Sequence, residues 1–441
     1  MDKPQTLKGF RDFLPSESIA RSYLIEKMKT VFEKFGFDPL ETPALEYAET
    51  LLGKYGDEAD KLLYIFEDRG KRKVGMRYDQ TVPTARVVAQ YQDIAKPFKR
   101  YQIQPVWRAE NTQKGRYREF LQCDADIIGD NFAPTADAEI LTLFWNIYYE
   151  LGFKSFQVVV NSRKLLKKIV DKAISDSFGN ENTTKIQDYI NFKIYRIIDK
   201  LEKVGEEKVK EELTSVLKDE GFPQININIF MDSIKSFNFN SYKDLKEIDQ
   251  NLYYSLQMAI ENFKIPEKSI VINPLMVRGL DYYTGLIFEG IDKNYQSSLG
   301  GGGRYDNLIG QFSGNTVTAV GFAIGFDRTL DTAKSLGLIP NNKTKTRVLI
   351  AVIEDWKEVF PTSLNLVTQL RDLGINTELY LNPQEKIKKQ LKYANKKGIS
   401  YVIIVGPEEI KKNVVKLKNM KTGEQRELNQ EDLVKFLISN S

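Results

Sequence analysis

A chain of 441 residues with 41% hydrophobic and 28% charged side chains and a net charge of +4 is expected to be a soluble, mildly basic protein of two or three domains. Its single cysteine, Cys123, excludes an internal disulfide framework and a cysteine-built metal site, and the complete absence of histidine excludes imidazole-based hydrolysis and His-ligated zinc. The charged N-terminal stretch and the lack of a long apolar run predict a cytoplasmic protein with no signal peptide or membrane span.

Gly9 to Pro15 reads as an extended segment. Apolar positions at Ile19, Tyr23, Met28, Val31, Phe32 and Phe35 then predict a helix over 17–35, with Ser16 as candidate N-cap and Gly36 as its stop. Phe37 to Leu45 carries two prolines in a strand pattern. Prolines remove ladder donors, so this segment belongs at a sheet edge or a subunit interface, with an ordinary surface strand as the alternative. Leu63 to Glu67 and Lys73 to Arg77 predict a hairpin around Arg69-Gly70. Asp79-Gln80-Thr81 precedes a helix over Val82 to Tyr91 with Pro83 in its first turn. Those short polar residues suit an amine or hydroxyl ligand, and equally a plain N-cap.

Phe98 to Arg108 and Tyr117 to Ile128 predict a second hairpin, around the polar loop 109–116, where Arg108, Lys114, Arg116 and Arg118 converge. Alternation places Arg108, Phe120, Gln122 and Asp126 toward one side. A basic hairpin bearing an aromatic ring suits a nucleotide; a structural hairpin with a solvated loop is the competing reading. A helix over Pro134 to Leu151 and a strand over Ser155 to Asn161 follow. From about 165 to 263 lysine, glutamate and asparagine dominate, and helical patterns over 186–204, 206–220 and 245–263 predict an inserted helical subdomain.

An apolar, strand-like run ending at Val277 leads into RGLDYYTG, Arg278 to Gly285, and a further strand follows over 286–290. Arg278 offers a planar fork for carboxylate or phosphate, and Tyr282 and Tyr283 offer rings with hydroxyl tips. Taken alone, the octapeptide reads equally as a tyrosine-cored turn. Glycines 300–303, before Arg304-Tyr305-Asp306, permit close backbone approach to a ligand but lack the ending of a Walker loop. Thr318 to Arg328 predicts an apolar strand running into a helix, with Arg328 near its start. After a linker at Leu336 to Thr346 the pattern restarts, with strands at 348–353, 376–381, 401–405 and 414–418 and helices at 361–373, 384–397 and from Gln430. That alternation predicts a small α/β domain, and its lysines suit a polyanion or, equally simply, a solvated surface.

Together these segments resemble the histidyl-tRNA synthetases, a family of class II aminoacyl-tRNA synthetases, over nearly the whole chain. FDPLETPALEY resembles motif 1, FKRYQIQPVWRAENTQKGRYREFLQCDADIIG motif 2 and VGFAIGFDRTL motif 3. RGLDYYTG and GGGGRYDNL are similar to the family's histidine-specific signatures. The resemblance implies an α+β catalytic domain built on an antiparallel sheet over 1–335, with the helical insertion at about 165–263. It also implies a linker at 336–346 and an α/β anticodon-binding domain over 347–441. The implied reaction joins L-histidine to tRNA(His) through a histidyl-adenylate, with ATP as substrate, Mg2+ bound with the ATP, and a homodimer formed through motif 1.

Residue by residue, the resemblance gives Arg108 the α-phosphate, Glu110 and Arg116 the nucleotide or its pyrophosphate, Phe120 the adenine and Arg328 the γ-phosphate. Arg278 would contact the histidine carboxylate and the α-phosphate, in a place that other class II enzymes give to a magnesium ion. Arg108 and Arg278 would thus be catalytic. Asp79, Thr81 and Gln122 would bind the α-amino group. Asp126 and Tyr283 would hold the imidazole nitrogens with Tyr282 beside them, and Gln113 would meet the tRNA acceptor end. No metal site made of protein side chains alone is expected. Gln80 stands where many relatives have a small or apolar residue, so it either points outward or narrows the amino-acid pocket. Two alternatives share the fold: the histidine-sensing regulatory subunit of ATP phosphoribosyltransferase, which usually lacks the C-terminal domain, and a synthetase-like RNA-binding sensor.

Overall fold

Pro39 and Pro43 deny two ladder donors to the segment 37–45, and only two short pieces of it pair. The computed structural model describes residues 3–54, 60–112, 116–129, 131–178, 188–222, 225–277, 282–353 and 356–440. The chain divides into two compact units, residues 1–11 with 25–338 and residues 12–24 with 339–441. The helix predicted over 17–35 is Pro15–Lys34.

In the first unit β1 is Asp38–Pro39, an edge strand, and β2 is Leu45–Tyr47. The predicted hairpin forms from β3 (Ile65–Glu67) and β4 (Lys73–Met76), and β2 adds to β4 to complete a small antiparallel sheet. The helix Thr81–Gln90 follows at once, with Pro83 in its first turn. The second hairpin is β5 (Phe98–Trp107) with β6 (Glu119–Ile128), and its register sets Gln104 opposite Gln122, Gln102 opposite Asp124 and Arg100 opposite Asp126.

The remaining strands are β7 (Phe156–Ser162), β8 (Ile270–Ile272), β9 (Leu286–Asp292), β10 (Tyr295–Arg304) and β11 (Ala319–Gly325). They complete an eight-stranded sheet in the order β1-β5-β6-β11-β10-β9-β7-β8. It is antiparallel except at its two ends, where β1 runs parallel to β5 and β8 to β7. The helix Ala133–Glu150 packs against it through Phe144, whose ring lies 5.7, 5.2 and 5.0 Å from those of Phe156, Phe288 and Phe322.

One expectation changes here. The apolar run before residue 278 is not a strand to Val277, because β8 stops at Ile272. Pro274 cannot extend the ladder, and the Asn161 side-chain amide donates to the carbonyls of Pro274 (3.0 Å) and Met276 (2.9 Å), which draws the chain into a turn. The four glycines, left without an assigned element, lie inside central strand β10. A Cβ on Gly302 would sit 2.6 Å from the Phe322 Cα, and one on Gly303 would sit 2.9 Å from the Tyr283 ring. Bare backbone is thus what lets β10 sit between its neighbours.

Between β7 and β8 the chain is helical, as Arg163–Phe178, Asp188–Ile198, Leu201–Val204, Glu206–Asp219, Ile227–Ser236 and Gln250–Gln257. The helix expected over 186–204 breaks at Asp199-Lys200, and its first two residues lie outside the described ones. The one expected from 245 starts later, where the Asp249 side chain accepts the Leu252 N–H at 3.2 Å as an N-cap.

In the second unit β12 (Val348–Val352), β13 (Thr377–Leu379), β14 (Tyr401–Val405), β15 (Val415–Asn419) and β16 (Gln425–Leu428) form a sheet in the order β13-β12-β14-β15-β16. Its first three strands are parallel, which requires the helical crossovers Trp356–Asp372 and Ile387–Lys397. The first of these was expected to start near Pro361, but the proline is internal to it. β16 had no counterpart among the predicted strands. Its side chains are mostly exposed and polar, so no apolar alternation marks it.

Candidate active site

The β5–β6 hairpin, the glycine strands and the start of the Thr81–Gln90 helix surround a cavity of about 640 Å³ in the first unit. Asp79, Thr81, Arg108, Glu110, Arg116, Phe120, Gln122, Asp126, Tyr282, Tyr283 and Arg328 all line it. Segments about 250 residues apart in sequence are thereby brought to one place. Arg278 and Gln113 lie outside the described residues.

Strand alternation builds one end of this cavity. Gln122 and Asp126 are on the same face of β6, with Asp124 between them. Asp126 is 3% exposed; it forms an ion pair with the fully buried Arg100 opposite and accepts a hydrogen bond from the Tyr305 hydroxyl. Burial raises the Asp126 pKa, while Arg100 and then Tyr305 pull it back down. Gly321 on β11 makes room for this carboxylate, since a Cβ there would sit 2.5 Å from Asp126 Cγ and 2.6 Å from the Ala125 carbonyl oxygen. Tyr283 and Tyr305 pack in one apolar cluster, and the Tyr282 ring lies 4.9 Å from Tyr283 and 5.9 Å from Tyr305.

Gln122 Nε2 donates to Asp124 Oδ2 at 2.8 Å. Burial pushes the Asp124 carboxyl well above the usual range, against the pull of Arg100. Asp79 Oδ1 accepts the Val82 N–H at 3.1 Å, so part of this carboxylate caps the helix that Thr81 begins. Gln80 neither points to solvent nor narrows the cavity. It is buried beneath the hairpin, donating to the carbonyls of Gln104 (2.9 Å) and Gln122 (3.0 Å).

The other end is basic and aromatic. Arg108 Nε donates to the Tyr78 carbonyl at 3.1 Å, and its guanidinium lies 4.2 Å from the centre of the Tyr78 ring and 5.1 Å from that of Phe120. Arg116 is 4.0 Å from Glu110. Arg328, in the first turn of the helix Phe326–Ser335, donates to the Ser298 carbonyl at 3.3 Å. Three guanidinium groups thus face one cavity and can hold a polyphosphate. Asp79, Thr81 and Gln122 offer oxygen acceptors for an ammonium group, and Asp126 offers one for a ring N–H.

The structure adds residues that the sequence reading did not single out. Arg11 stacks 3.3 Å from the Tyr117 ring centre and pairs with Asp327 at 3.0 Å, joining two lining residues. Gly9, at φ +89°, lets this opening segment pass the hairpin loop, since a Cβ there would meet Arg118 Cγ and Thr112 Cγ2 at 2.8 Å. Asp199, at the break between two insertion helices, also lines the cavity. The Arg100–Asp126 pairing was not read from the sequence, because strands ending at Arg108 and beginning at Tyr117 do not set those two residues at equal distances from the loop. Nor was the Tyr305 contact, since it joins residues 179 positions apart.

The chain is similar to known proteins over nearly its whole length. A family model of histidyl-tRNA synthetase matches residues 9–329, and one of an anticodon binding domain matches 347–440. The histidine–tRNA ligase of Cytophaga hutchinsonii is 39% identical over 472 aligned positions, covering 99% of this chain and 100% of that one. That of Wolinella succinogenes is 39% identical over 437, covering 96% and 95%. The crystal structure of histidyl-tRNA synthetase from Nostoc sp. PCC 7120 superposes with a TM-score of 0.83 at 29% identity, over all of both chains. A Bacillus halodurans protein described as an ATP phosphoribosyltransferase regulatory subunit/histidyl-tRNA synthetase shares the fold, with a TM-score of 0.71 at 20% identity, over 92% of this chain and 100% of that one. With both family models matched in order and the relatives aligned nearly end to end, the chain belongs to the histidyl-tRNA synthetase family.

Proposed function

We propose that the chain ligates L-histidine to tRNA(His) in two steps. The histidine carboxylate attacks the α-phosphorus of ATP, the bond to the β-phosphate bridge breaks, and pyrophosphate leaves. The terminal ribose hydroxyl of the tRNA then attacks the histidyl carbonyl and AMP leaves. The observation that carries this reading is the single cavity in which guanidinium groups sit at one end and a carboxylate between Arg100 and Tyr305 at the other. Full-length relatives named histidine–tRNA ligase support the same reaction.

In this reading Arg108 and Arg278 hold the α-phosphate as charge builds on its oxygens, and Arg278 also aligns the attacking carboxylate. Orientation and fixed positive charge supply most of what such a displacement needs. Glu110 and Arg116 meet the nucleotide or its pyrophosphate, Phe120 stacks on adenine and Arg328 binds the γ-phosphate. Asp79, Thr81 and Gln122 receive the α-ammonium group, and Asp126 and Tyr283 the imidazole with Tyr282 beside it. An amino acid without ring nitrogens would forgo these hydrogen bonds, which gives specificity without editing.

Among the described residues no cluster of three carboxylate or sulfur ligands could hold a metal ion. Mg2+ is assigned to the triphosphate of ATP, where it would screen phosphate charge. Residues 347–441 are assigned to the anticodon, Gln113 to the acceptor end and the motif 1 segment to a homodimer. None of the described helices is long and apolar enough to cross a membrane, and a cytoplasmic location is proposed.

The regulatory-subunit reading has less support, because the similarity to the protein so described is of fold alone, and residues 347–440 match an anticodon binding domain. The test is pyrophosphate exchange into ATP with each of the twenty amino acids. Exchange with histidine alone is expected; none with histidine, or equal exchange with another amino acid, would sink the proposal.

A further inference from the structure

The ends of a carboxamide are not interchangeable, since the nitrogen donates and the oxygen accepts. Which end of Gln122 meets a ligand is therefore a chemical choice. Gln122, Asp124 and Asp126 share one face of β6, and the outer two line the cavity. Asp124 lies between them at 1% exposure, with Oδ2 accepting from Gln122 Nε2 at 2.8 Å. Turning the amide over would set its oxygen against Asp124 Oδ2, acceptor against acceptor. An ionised Asp124 holds the amide this way round through either oxygen, and a neutral one does so with its proton on Oδ1, which leaves Oδ2 as the accepting carbonyl.

The neighbouring amide does not compete for this role. Gln102 faces Asp124 across the hairpin, but its Nε2 donates to Thr42 Oγ1 at 2.8 Å and to Gln104 Oε1 at 2.6 Å. Gln122 thus presents its carbonyl branch to the cavity, beside Asp79 and Thr81. An ammonium group has N–H donors and no acceptor, so it requires that orientation.

We propose that Asp124 is a positioning residue that holds the Gln122 amide with its oxygen toward the amino-acid site, making the site selective for ligands bearing an α-ammonium group. The inference rests on the reading that the cavity binds histidine. A merely structural Asp124 would hold the fold together and affect every ligand alike.

The test uses the full chain and three ligands: L-histidine, histidinol, which keeps the amine but lacks the carboxylate, and imidazolepropionate, which keeps the carboxylate but lacks the amine. Affinities are read from pyrophosphate exchange for histidine and from its inhibition for the other two. Asp124→Leu removes the acceptor at similar volume. It should weaken histidine and histidinol by about tenfold to a hundredfold, the range for a hydrogen bond to a charged group. Imidazolepropionate inhibition and the KM for ATP should stay within about threefold. A second variant reverses the polarity of the bond: in Gln122→Glu/Asp124→Asn the new amide donates to the new carboxylate, which again presents oxygen to the cavity. This double variant should keep the preference for amine-bearing ligands. Equal weakening of all three ligands in Asp124→Leu, no weakening of any, or loss of the amine preference in the double variant would overturn the inference. A wild-type chain with no histidine-dependent exchange would instead overturn the histidine reading, so the two failures are distinct.

Discussion

Replacing Tyr305 by phenylalanine deletes one hydroxyl while keeping a ring that is 3% exposed and packed with Tyr283, Ile287 and Leu308. What is lost is the hydrogen bond to the Asp126 carboxylate, whose remaining anchor is Arg100. A hydrogen bond to a charged group contributes about 1.5–3 kcal/mol. If Asp126 accepts the imidazole N–H as proposed, kcat/KM for histidine should fall roughly 10- to 150-fold, at about 1.4 kcal/mol per tenfold. The KM for ATP should hardly move. The pH profile gives a second readout. Burial raises the Asp126 pKa, and Arg100 and Tyr305 lower it, so losing Tyr305 raises it further. The accepting anion is then lost at a higher pH, and the acid limb of kcat/KM in pyrophosphate exchange should shift upward. An unchanged kcat/KM with the acid limb in place would refute this account of the imidazole end, as would equal losses for histidine and ATP.

Arg278→Ala should lower the rate of pyrophosphate exchange by about 100-fold or more, on the scale of losing one transition-state donor, while tRNA binding in a filter assay persists. Gly302→Ala drives a methyl group into the Phe322 backbone, and should cost about 3 kcal/mol or more in urea denaturation or leave the chain insoluble. Burial pushes Asp137 from 3.8 up to about 6 against the pull of Arg304, so the folded chain keeps a proton that the unfolded chain releases. That contribution to stability is present below the unfolded pKa and is lost as pH rises through the folded one. It amounts to about 3 kcal/mol, and should appear as a decline between about pH 4 and 6.5 in the wild type that Asp137→Asn lacks.

Much of the site was legible because hairpins obey a two-residue period. Once Phe98 to Ile128 is read as two strands around a polar loop, Arg108, Phe120, Gln122 and Asp126 must share a face, and all four line the cavity. Arg328 followed from a strand running into a helix, which the structure contains. What escaped were contacts between distant segments and the buried polar residues that share the hairpin face of Gln122 and Asp126. Arg100, Gln102 and Asp124 are each no more than 1% exposed, yet charged and amide residues at alternate positions read as a solvated face. The glycine strand escaped for a related reason. Four glycines have no strand propensity of their own, and their place between β9 and β11 is set by the fit of the neighbouring backbones. Pro361 misled by appearing at a position where a helix could have begun.

The room that Gly321 leaves for Asp126 has a consequence for how this enzyme could change its substrate. A larger residue at 321 would meet both that carboxylate and the Ala125 carbonyl oxygen, and removing the carboxylate to make room deprives the buried Arg100 of its ion pair. Positions 100, 126 and 321 therefore form one locus, and substitutions there must arrive together. Any single change should lose histidine before it gains another amino acid, so the preference is protected against stepwise drift, and a designer seeking a different amino acid would have to change the backbone beside Ala125 as well as these side chains.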